Sequence, residues 1–92
     1  MQAPFQYQNI TGDATTVVKS GPGMLHAITI NAGAATETIT IYDNTAGSGT
    51  KIGTITIPAS PQNVTLTYDV NFWIGLTIVT AVAASDITVS FR

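Results

Sequence analysis

Apolar and polar side chains alternate along most of the chain from Thr15 to Arg92, and no segment keeps the period of an amphipathic helix. Alternation with a period of two predicts strands that bury one face and expose the other. Turn-forming residues divide the alternating region into seven predicted strands. They run over residues 15–19, 24–31, 37–43, 51–58, 63–70, 75–80 and 86–91.

The inward-facing side chains can be assigned within several of these strands, where isoleucine, valine and phenylalanine alternate with threonine and serine. The assigned residues are Ile39 and Ile41 in the third strand, Val64, Leu66, Tyr68 and Val70 in the fifth, and Ile87, Val89 and Phe91 in the seventh. In the fourth strand Ile52 is out of phase with Ile55, and the intervening Gly53 predicts a β-bulge that restores the phase. Short strands of this kind predict an all-β fold, a small antiparallel β-sandwich of jelly-roll or Greek-key type with seven to eight strands.

Residues 1–13 lie outside the alternating pattern. Phe5, Tyr7 and Ile10 are too apolar for a segment that stays in solvent. They form either an extra edge strand or an extended arm that packs on a neighbouring subunit. We expect the arm, so the predicted organisation is an N-terminal arm over residues 1–13 followed by one β-sandwich domain over residues 14–92.

The composition is that of a small domain with very few charges. Charged residues make up 9% of the 92 residues, and the net charge is −2; an ordinary soluble domain has about 25%. The cations Lys19, Lys51 and Arg92 are scattered, whereas phosphate binding needs clustered Lys and Arg, so nucleic acid is not a predicted partner. The chain has no apolar stretch long enough for a membrane-spanning helix, and a membrane is not predicted as a partner either.

The chain also lacks the usual additions that stabilise a small core. It contains no cysteine, so neither a disulfide nor a thiolate-bound metal can contribute. Association with other chains is the remaining common route for a domain of this size. Together with the nearly uncharged surface, this favours a protein that works inside a larger assembly.

The glycine-rich segment 43–50 raises the question of a bound ligand. Its glycine spacing is not that of a phosphate-binding loop, and a strand rather than a helix follows it. Asp43 and Asn44 are adjacent rather than alternating, and no glutamate closes the loop, so calcium is not predicted. We expect Asp43 and Asn44 to turn the chain by bonding their own backbone, and Ser48 to belong to an exposed hairpin tip that contacts a partner.

No set of residues predicts catalysis. His26 is the sole histidine and lies in phase with Ile28, so we expect a neutral imidazole at the edge of the core, bonded to a backbone carbonyl. The carboxylates fall at strand ends or on polar faces, where solvent or turn bonds account for them; they include Glu37, Asp43, Asp69 and Asp86. We therefore predict a non-enzymatic protein with no catalytic residue, no cofactor and no metal ligand.

Trp73, the single tryptophan, lies in the segment "VNFWIGL" just before the sixth predicted strand. It either caps the sandwich or is exposed as an anchor for a partner protein or a sugar ring. The candidate residues for contact with a partner protein or a sister subunit are Phe5, Tyr7, Ile10, Asp43, Asn44, Ser48 and Trp73.

Three motifs, in their order along the chain, resemble small virion-associated proteins of tailed bacteriophages. A Val-Lys-x-Gly-Pro-Gly turn lies at residues 18–23, a Tyr-Asp-Asn-Thr-x-x-Ser-Gly hairpin at 42–49, and a Gly-Leu strand start at 75–76. The resemblance covers residues 14–92. The chain departs from it at residues 73–74, where Trp-Ile replaces a small or hydroxyl residue.

This resemblance implies a structural virion protein on the capsid exterior, made in the cytoplasm of the bacterial host. It implies a head decoration, or cement, protein that binds the phage major capsid protein at symmetry-related sites and stabilises the shell. We expect a cyclic homo-oligomer, with a trimer favoured over a dimer. The alternative is a receptor- or carbohydrate-binding module of a phage tail or head fibre, in which Trp73 and Tyr42 stack against sugar rings.

Overall fold

The computed structural model describes residues 5–58 and 63–92, and within these ranges the chain forms strands and no helix. The strands are β1 (Gln6–Thr11), β2 (Ala14–Ser20), β3 (Gly23–Ala32), β4 (Thr38–Asp43), β5 (Thr50–Thr56), β6 (Val64–Phe72), β7 (Gly75–Thr80) and β8 (Asp86–Phe91). Strands β2 to β8 correspond in order to the seven predicted strands, with small differences at their ends. The all-β prediction is therefore confirmed.

The strands form two four-stranded sheets in which all neighbours are antiparallel. One sheet has the order β1-β8-β3-β6 and the other the order β2-β7-β4-β5. Only β4 and β5 follow each other in the same sheet, where they form a hairpin. Every other connection along the described strands passes from one sheet to the other, so the loops collect at the two ends of the molecule.

The core lies on the apolar faces of both sheets. Its buried members are Ile10, Leu25, Ile28, Ile30, Ile39, Ile41, Ile57, Phe72, Leu76, Ile78, Ile87, Val89 and Phe91. The side chains assigned to the inner faces of the third and seventh predicted strands are among them. Those assigned to one face of the fifth predicted strand, now β6, are not: Val64 and Val70 are exposed, and Leu66 and Tyr68 are half-buried. Burying a side chain of this size contributes about 1.5–3 kcal/mol, so a core of this extent is the main source of stability for a chain without disulfides.

Strand β1 belongs to the first sheet along its whole length. It pairs with β8 in an unbroken register from Gln6 opposite Phe91 to Thr11 opposite Asp86. Ile10 is only 3% exposed and packs in the core. Pairing satisfies the backbone polar groups that face β8, and burial removes Ile10 from water, so these residues form an edge strand rather than the predicted arm. Residues 1–4 of that arm lie outside the described residues.

The bulge predicted at Gly53 is confirmed. Ile41 pairs with Gly53, but the next residue, Tyr42, pairs with Lys51, so Ile52 is the extra residue in β5. Tyr68 of β6 lies against this point, because a Cβ atom on Gly53 would be 3.2 Å from the Tyr68 hydroxyl. The bulge therefore occurs where the two sheets contact each other near their β5 and β6 edges.

Three loops meet at one end of the sheets, which we call the loop end. β2 ends opposite the start of β7, and β6 ends opposite the start of β3. The β2–β3 turn (21–22) and the β6–β7 turn (73–74) therefore lie side by side. The β4–β5 loop (44–49) packs against the start of β7. This arrangement brings together segments that are far apart in the sequence.

Candidate contact surface at the loop end

Asp43, the last residue of β4, connects two of these loops. Its carboxylate accepts hydrogen bonds from the backbone N–H of Trp73 at 3.0 Å, of Ile74 at 2.9 Å and of Gly75 at 3.4 Å. The side chain is nearly buried, at 8% exposure. The sequence-based expectation that Asp43 bonds its own loop is therefore wrong, because its oxygens bind a turn that lies 30 residues later.

The same contacts determine the charge state of Asp43. The N–H of Ile74 makes the largest contribution and lowers the pKa of the carboxyl group; burial raises it, and the N–H groups of Trp73 and Gly75 lower it further. The net effect is a pKa below the usual value. Asp43 is thus an ionised carboxylate at neutral pH, and charged acceptors make stronger hydrogen bonds than neutral ones.

The turn held by Asp43 is also tied to the β2–β3 turn. The backbone N–H of Gly21 donates to the carbonyl oxygen of Ile74 at 2.9 Å. At Gly75 the packing leaves no room for a side chain: a Cβ atom would lie 2.9 Å from the carbonyl oxygen of Lys19 and 3.0 Å from that of Asn44. Glycine is therefore required where the three loops meet.

The β4–β5 loop is closed by Asn44, as the sequence predicted for this residue. Its side-chain oxygen accepts from the N–H of Thr45 at 2.9 Å, and its amide donates to the carbonyl oxygen of Ser48 at 2.7 Å. The hydroxyl of Thr77 donates to the carbonyl oxygen of Asn44 at 2.7 Å, which fixes the loop on β7. Ser48 itself is exposed.

These bonds leave two large apolar side chains in solvent. Trp73 is 70% exposed and Ile74 is 56% exposed, and we call this pair the Trp73–Ile74 tip. The sequence left Trp73 as either a cap on the sandwich or an exposed anchor, and in the structure it is exposed. Ile74 was not among the predicted contact residues. The sequence did contain a reason to include it, because two consecutive large apolar residues stand in a turn at the one departure from the phage motif.

The remaining predicted contact residues belong to strand β1 or directly precede it, and are not part of the Trp73–Ile74 turn. Tyr7 is the most exposed large aromatic residue among the described ones, at 76%, and projects from the solvent face of β1. Phe5 is partly exposed and stacks on the His26 ring at a centroid distance of 4.1 Å. Ile10 is a core residue and offers no surface, which corrects its place among the contact candidates.

His26 and Glu37 differ from their predicted environments. The register of β3 shifts between Leu25 and Ala27, so His26 is bulged out of the pattern, and its Nδ1 lies 2.5 Å from Oδ1 of Asp69 rather than against a backbone carbonyl. Glu37 is buried rather than solvated: it accepts from the Ser85 hydroxyl at 2.5 Å and from the N–H of Ala34 at 3.2 Å. Both differences arise from long-range pairing that alternation does not reveal.

The described parts of the chain contain no group of three or more His, Cys, Asp or Glu side chains that could hold a metal ion. Within the same residues, no helix is long and apolar enough to cross a membrane. No family model, curated protein or solved structure matches the chain.

Proposed function

We propose that this chain is a structural virion protein of a tailed bacteriophage, a capsid decoration protein that binds the outside of the major capsid protein shell and stabilises it. We further propose that its fold is a jelly roll. The orders β1-β8-β3-β6 and β2-β7-β4-β5 support this, since double-sheet jelly rolls have eight strands in two Greek keys and occur in viral capsid domains.

The observation that carries the proposal is the Trp73–Ile74 tip. Large apolar side chains that remain in water at 70% and 56% exposure are typical of a protein–protein contact, and tryptophan is enriched at the centres of such contacts. The tip lies on a domain with few charges and with largely uncharged polar residues elsewhere on its strands. A surface of this kind is suited to permanent coverage by neighbours.

In the proposed arrangement the protein is made in the host cytoplasm and resides on the capsid exterior without enzymatic activity. Copies associate as a cyclic homo-oligomer, a trimer rather than a dimer, and each copy places its tip on the capsid protein. Symmetry repeats a modest contact many times over the shell, and the sum of these contacts links neighbouring capsid subunits. Phe5 and Tyr7 remain available for contacts between sister subunits.

The test is binding to purified shells of the phage that carries this protein, measured for every variant by co-sedimentation with the shells and, for chains that keep the single tryptophan, also by its fluorescence. We expect saturable binding and a shift of the Trp73 emission to shorter wavelength as the ring leaves water. Trp73→Ala should weaken binding by at least about tenfold. The control Val64→Ala removes an exposed apolar side chain at the opposite end and should bind normally. Shells that bind none of the unmodified protein would refute the proposal.

The exposure of Trp73 also supports the second candidate, a carbohydrate-binding module of a phage fibre, because an accessible indole ring can stack on a sugar face. Tyr42 would be the second stacking residue. Quenching or shifting of the Trp73 emission by host-surface oligosaccharides, with no response to shells, would favour this candidate. An absence of response across a glycan array would remove it.

A further inference from the structure

We propose that Asp43 is a positioning residue that presets the Trp73–Ile74 tip for an uncharged, apolar hollow on the partner protein. This inference rests on the proposed function, because it concerns how the same tip meets the shell. It adds the role of Asp43 and the chemistry of the partner surface, neither of which follows from exposure alone.

The backbone of the tip is held at three consecutive N–H groups. The Asp43 carboxylate accepts from Trp73, Ile74 and Gly75 at 2.9–3.4 Å, so the polar groups that would let a free turn rearrange are already bonded. On the opposite side the Ile74 carbonyl accepts from the N–H of Gly21. The crowding around Gly75 prevents the turn from moving inward.

A preset tip binds more tightly than a mobile one of the same composition. Ordering a loop and its side chains on binding costs free energy that is subtracted from the contact, and this cost is small when the backbone is already fixed. Hydrogen bonds from the N–H groups of the tip to the Asp43 carboxylate supply this order without covering the side chains, since Trp73 and Ile74 stay exposed. The residue therefore acts on binding through the backbone and does not touch the partner.

The charges at the loop end indicate the partner chemistry. The Asp43 carboxylate is nearly buried and fully occupied by N–H groups, so it is not available to a partner. Lys19 and Arg92 both lie near the start of β3 at this end: the Lys19 Nζ is 3.0 Å from the position of a Cβ atom on Gly23, and the Arg92 carbonyl oxygen accepts from the N–H of Met24. The tip itself carries two apolar side chains and no charged one, so it fits a concave apolar surface with no charged group inside it. Binding should then depend weakly on salt.

The experiment compares Asp43→Asn with Asp13→Asn in the full chain, using the same phage shells as the probe. Both variants lose one negative charge, but Asp13 is an exposed residue of the β1–β2 turn at the opposite end. We expect Asp43→Asn to bind about tenfold more weakly at equal folded protein, and Asp13→Asn to bind normally. The affinity of the unmodified protein should change less than about twofold between roughly 50 and 500 mM NaCl.

A spectroscopic signature separates positioning from a general loss of stability. Time-resolved anisotropy of Trp73 should gain a fast, large-amplitude component in Asp43→Asn and not in Asp13→Asn. In the unmodified protein, the amides of residues 73–75 should exchange hydrogen at least about a hundredfold more slowly than those of the exposed segment 81–84. The exchange measurement needs no variant, so it tests whether the backbone of the tip is fixed even if Asp43→Asn does not fold.

The outcomes are distinguishable. If shells bind the protein and Trp73→Ala weakens binding, while Asp43→Asn keeps full affinity and a fixed indole ring, the tip is the contact but the positioning role of Asp43 is refuted. Rapid exchange of the 73–75 amides refutes it as well. If the affinity for shells depends strongly on salt, the proposal of an uncharged partner surface is refuted, but the positioning role of Asp43 is not. Failure of every variant and of the unmodified protein to bind shells refutes the proposed function instead.

Discussion

Two carboxylates flank the same strand and connect loops at opposite ends of the molecule. Asp43 closes β4 and accepts from the backbone of the β6–β7 turn, whereas Glu37 precedes β4 and accepts from Ala34 and from the Ser85 hydroxyl. Both side chains are buried. A buried carboxylate is retained at low cost only when its oxygens are bonded, and here the N–H and O–H donors come from loops that would otherwise leave polar groups unpaired.

Replacing Asp43 by asparagine should lower the free energy of unfolding by about 2 kcal/mol. The neutral amide oxygen is a weaker acceptor than the carboxylate oxygen that receives all three N–H groups, and the amide NH2 group that replaces Oδ2 would face the N–H of Trp73, donor against donor. Chemical denaturation followed by Trp73 fluorescence measures this loss. Asp13→Asn, at the exposed turn, should remain within about 0.5 kcal/mol of the unmodified protein. Equal stability of the two variants would contradict the bonding described for Asp43.

Stability should also fall in acid through Asp43. The N–H of Ile74, with those of Trp73 and Gly75, lowers the pKa of the folded carboxyl group below its ordinary value of 3.8, so the ionised form favours folding. This contribution is fully present above that value and is lost as the pH falls through the lowered pKa of the folded state. Denaturation curves measured at several pH values give the free energy of unfolding as a function of pH. Between neutral and strongly acidic pH this free energy should fall less for Asp43→Asn than for Asp13→Asn.

Gly75 and Gly53 should respond differently to alanine. At Gly75 a methyl group would meet the carbonyl oxygens of Lys19 and Asn44, which belong to paired backbone, so we expect a loss of about 3 kcal/mol or failure to fold. At Gly53 it would meet the end of the Tyr68 side chain at 3.2 Å, which can shift, and a loss of about 1 kcal/mol or less is expected. Thermal unfolding of the two variants side by side tests this order, and the reverse order would contradict it.

At the scale of elements, β1 is the clearest difference between pattern and structure. Its sequence alternates weakly and carries a single deeply buried residue, Ile10, so nothing in it separates an edge strand from an arm. The pairing with β8 makes it an edge strand, because six residues of β1 lie opposite residues of β8 in an antiparallel register. By contrast, β4 and β8 alternate strongly, and their inward faces could be predicted from the sequence.

The edge-strand role of β1 predicts that Ile10→Ala destabilises the domain by about 3 kcal/mol, the cost of a cavity in the core. Tyr7→Ala in the same strand should change stability by less than about 0.5 kcal/mol, because Tyr7 is 76% exposed. Deleting residues 1–12 should unfold the protein, since it removes β1 and uncovers β8. If circular dichroism showed that the deletion variant is folded and stable, the edge-strand role of β1 would be contradicted and residues 1–12 would instead form an arm.

At the scale of the whole molecule, stability comes from the apolar interior with little help from charge. The sequence has three cations and five carboxylates, and the two carboxylates at the ends of β4 are buried and bonded to uncharged groups. Electrostatic stabilisation that salt could screen is therefore small. The sandwich-like form with nearly uncharged faces is the property that the proposed place in a shell requires.

The midpoint of thermal unfolding should accordingly shift by less than about 2 °C between roughly 20 and 200 mM NaCl, because only 9% of the residues are charged and salt therefore has few charges to screen. Differential scanning calorimetry at several salt concentrations measures the shift. A change of more than about 5 °C would mean that ion pairs contribute to stability more than this composition allows.

The sequence alone determined the class of fold, the order of seven strands, the buried faces of β4 and β8 and the bulge at Gly53, because these depend on the local period of two and on turn residues. The tertiary structure determined the hydrogen-bond partners of Asp43, Glu37 and His26 and the place of β1 in a sheet. Each of these depends on partners that are distant along the chain: the turn after Phe72, the Ser85 hydroxyl, Asp69 and strand β8. The sequence left Trp73 as either a cap or an exposed anchor, and only the packing of the loops decided between them. The bond to Asp43 could not be predicted, because a hydrogen-bond donor 30 residues away has no effect on a local pattern.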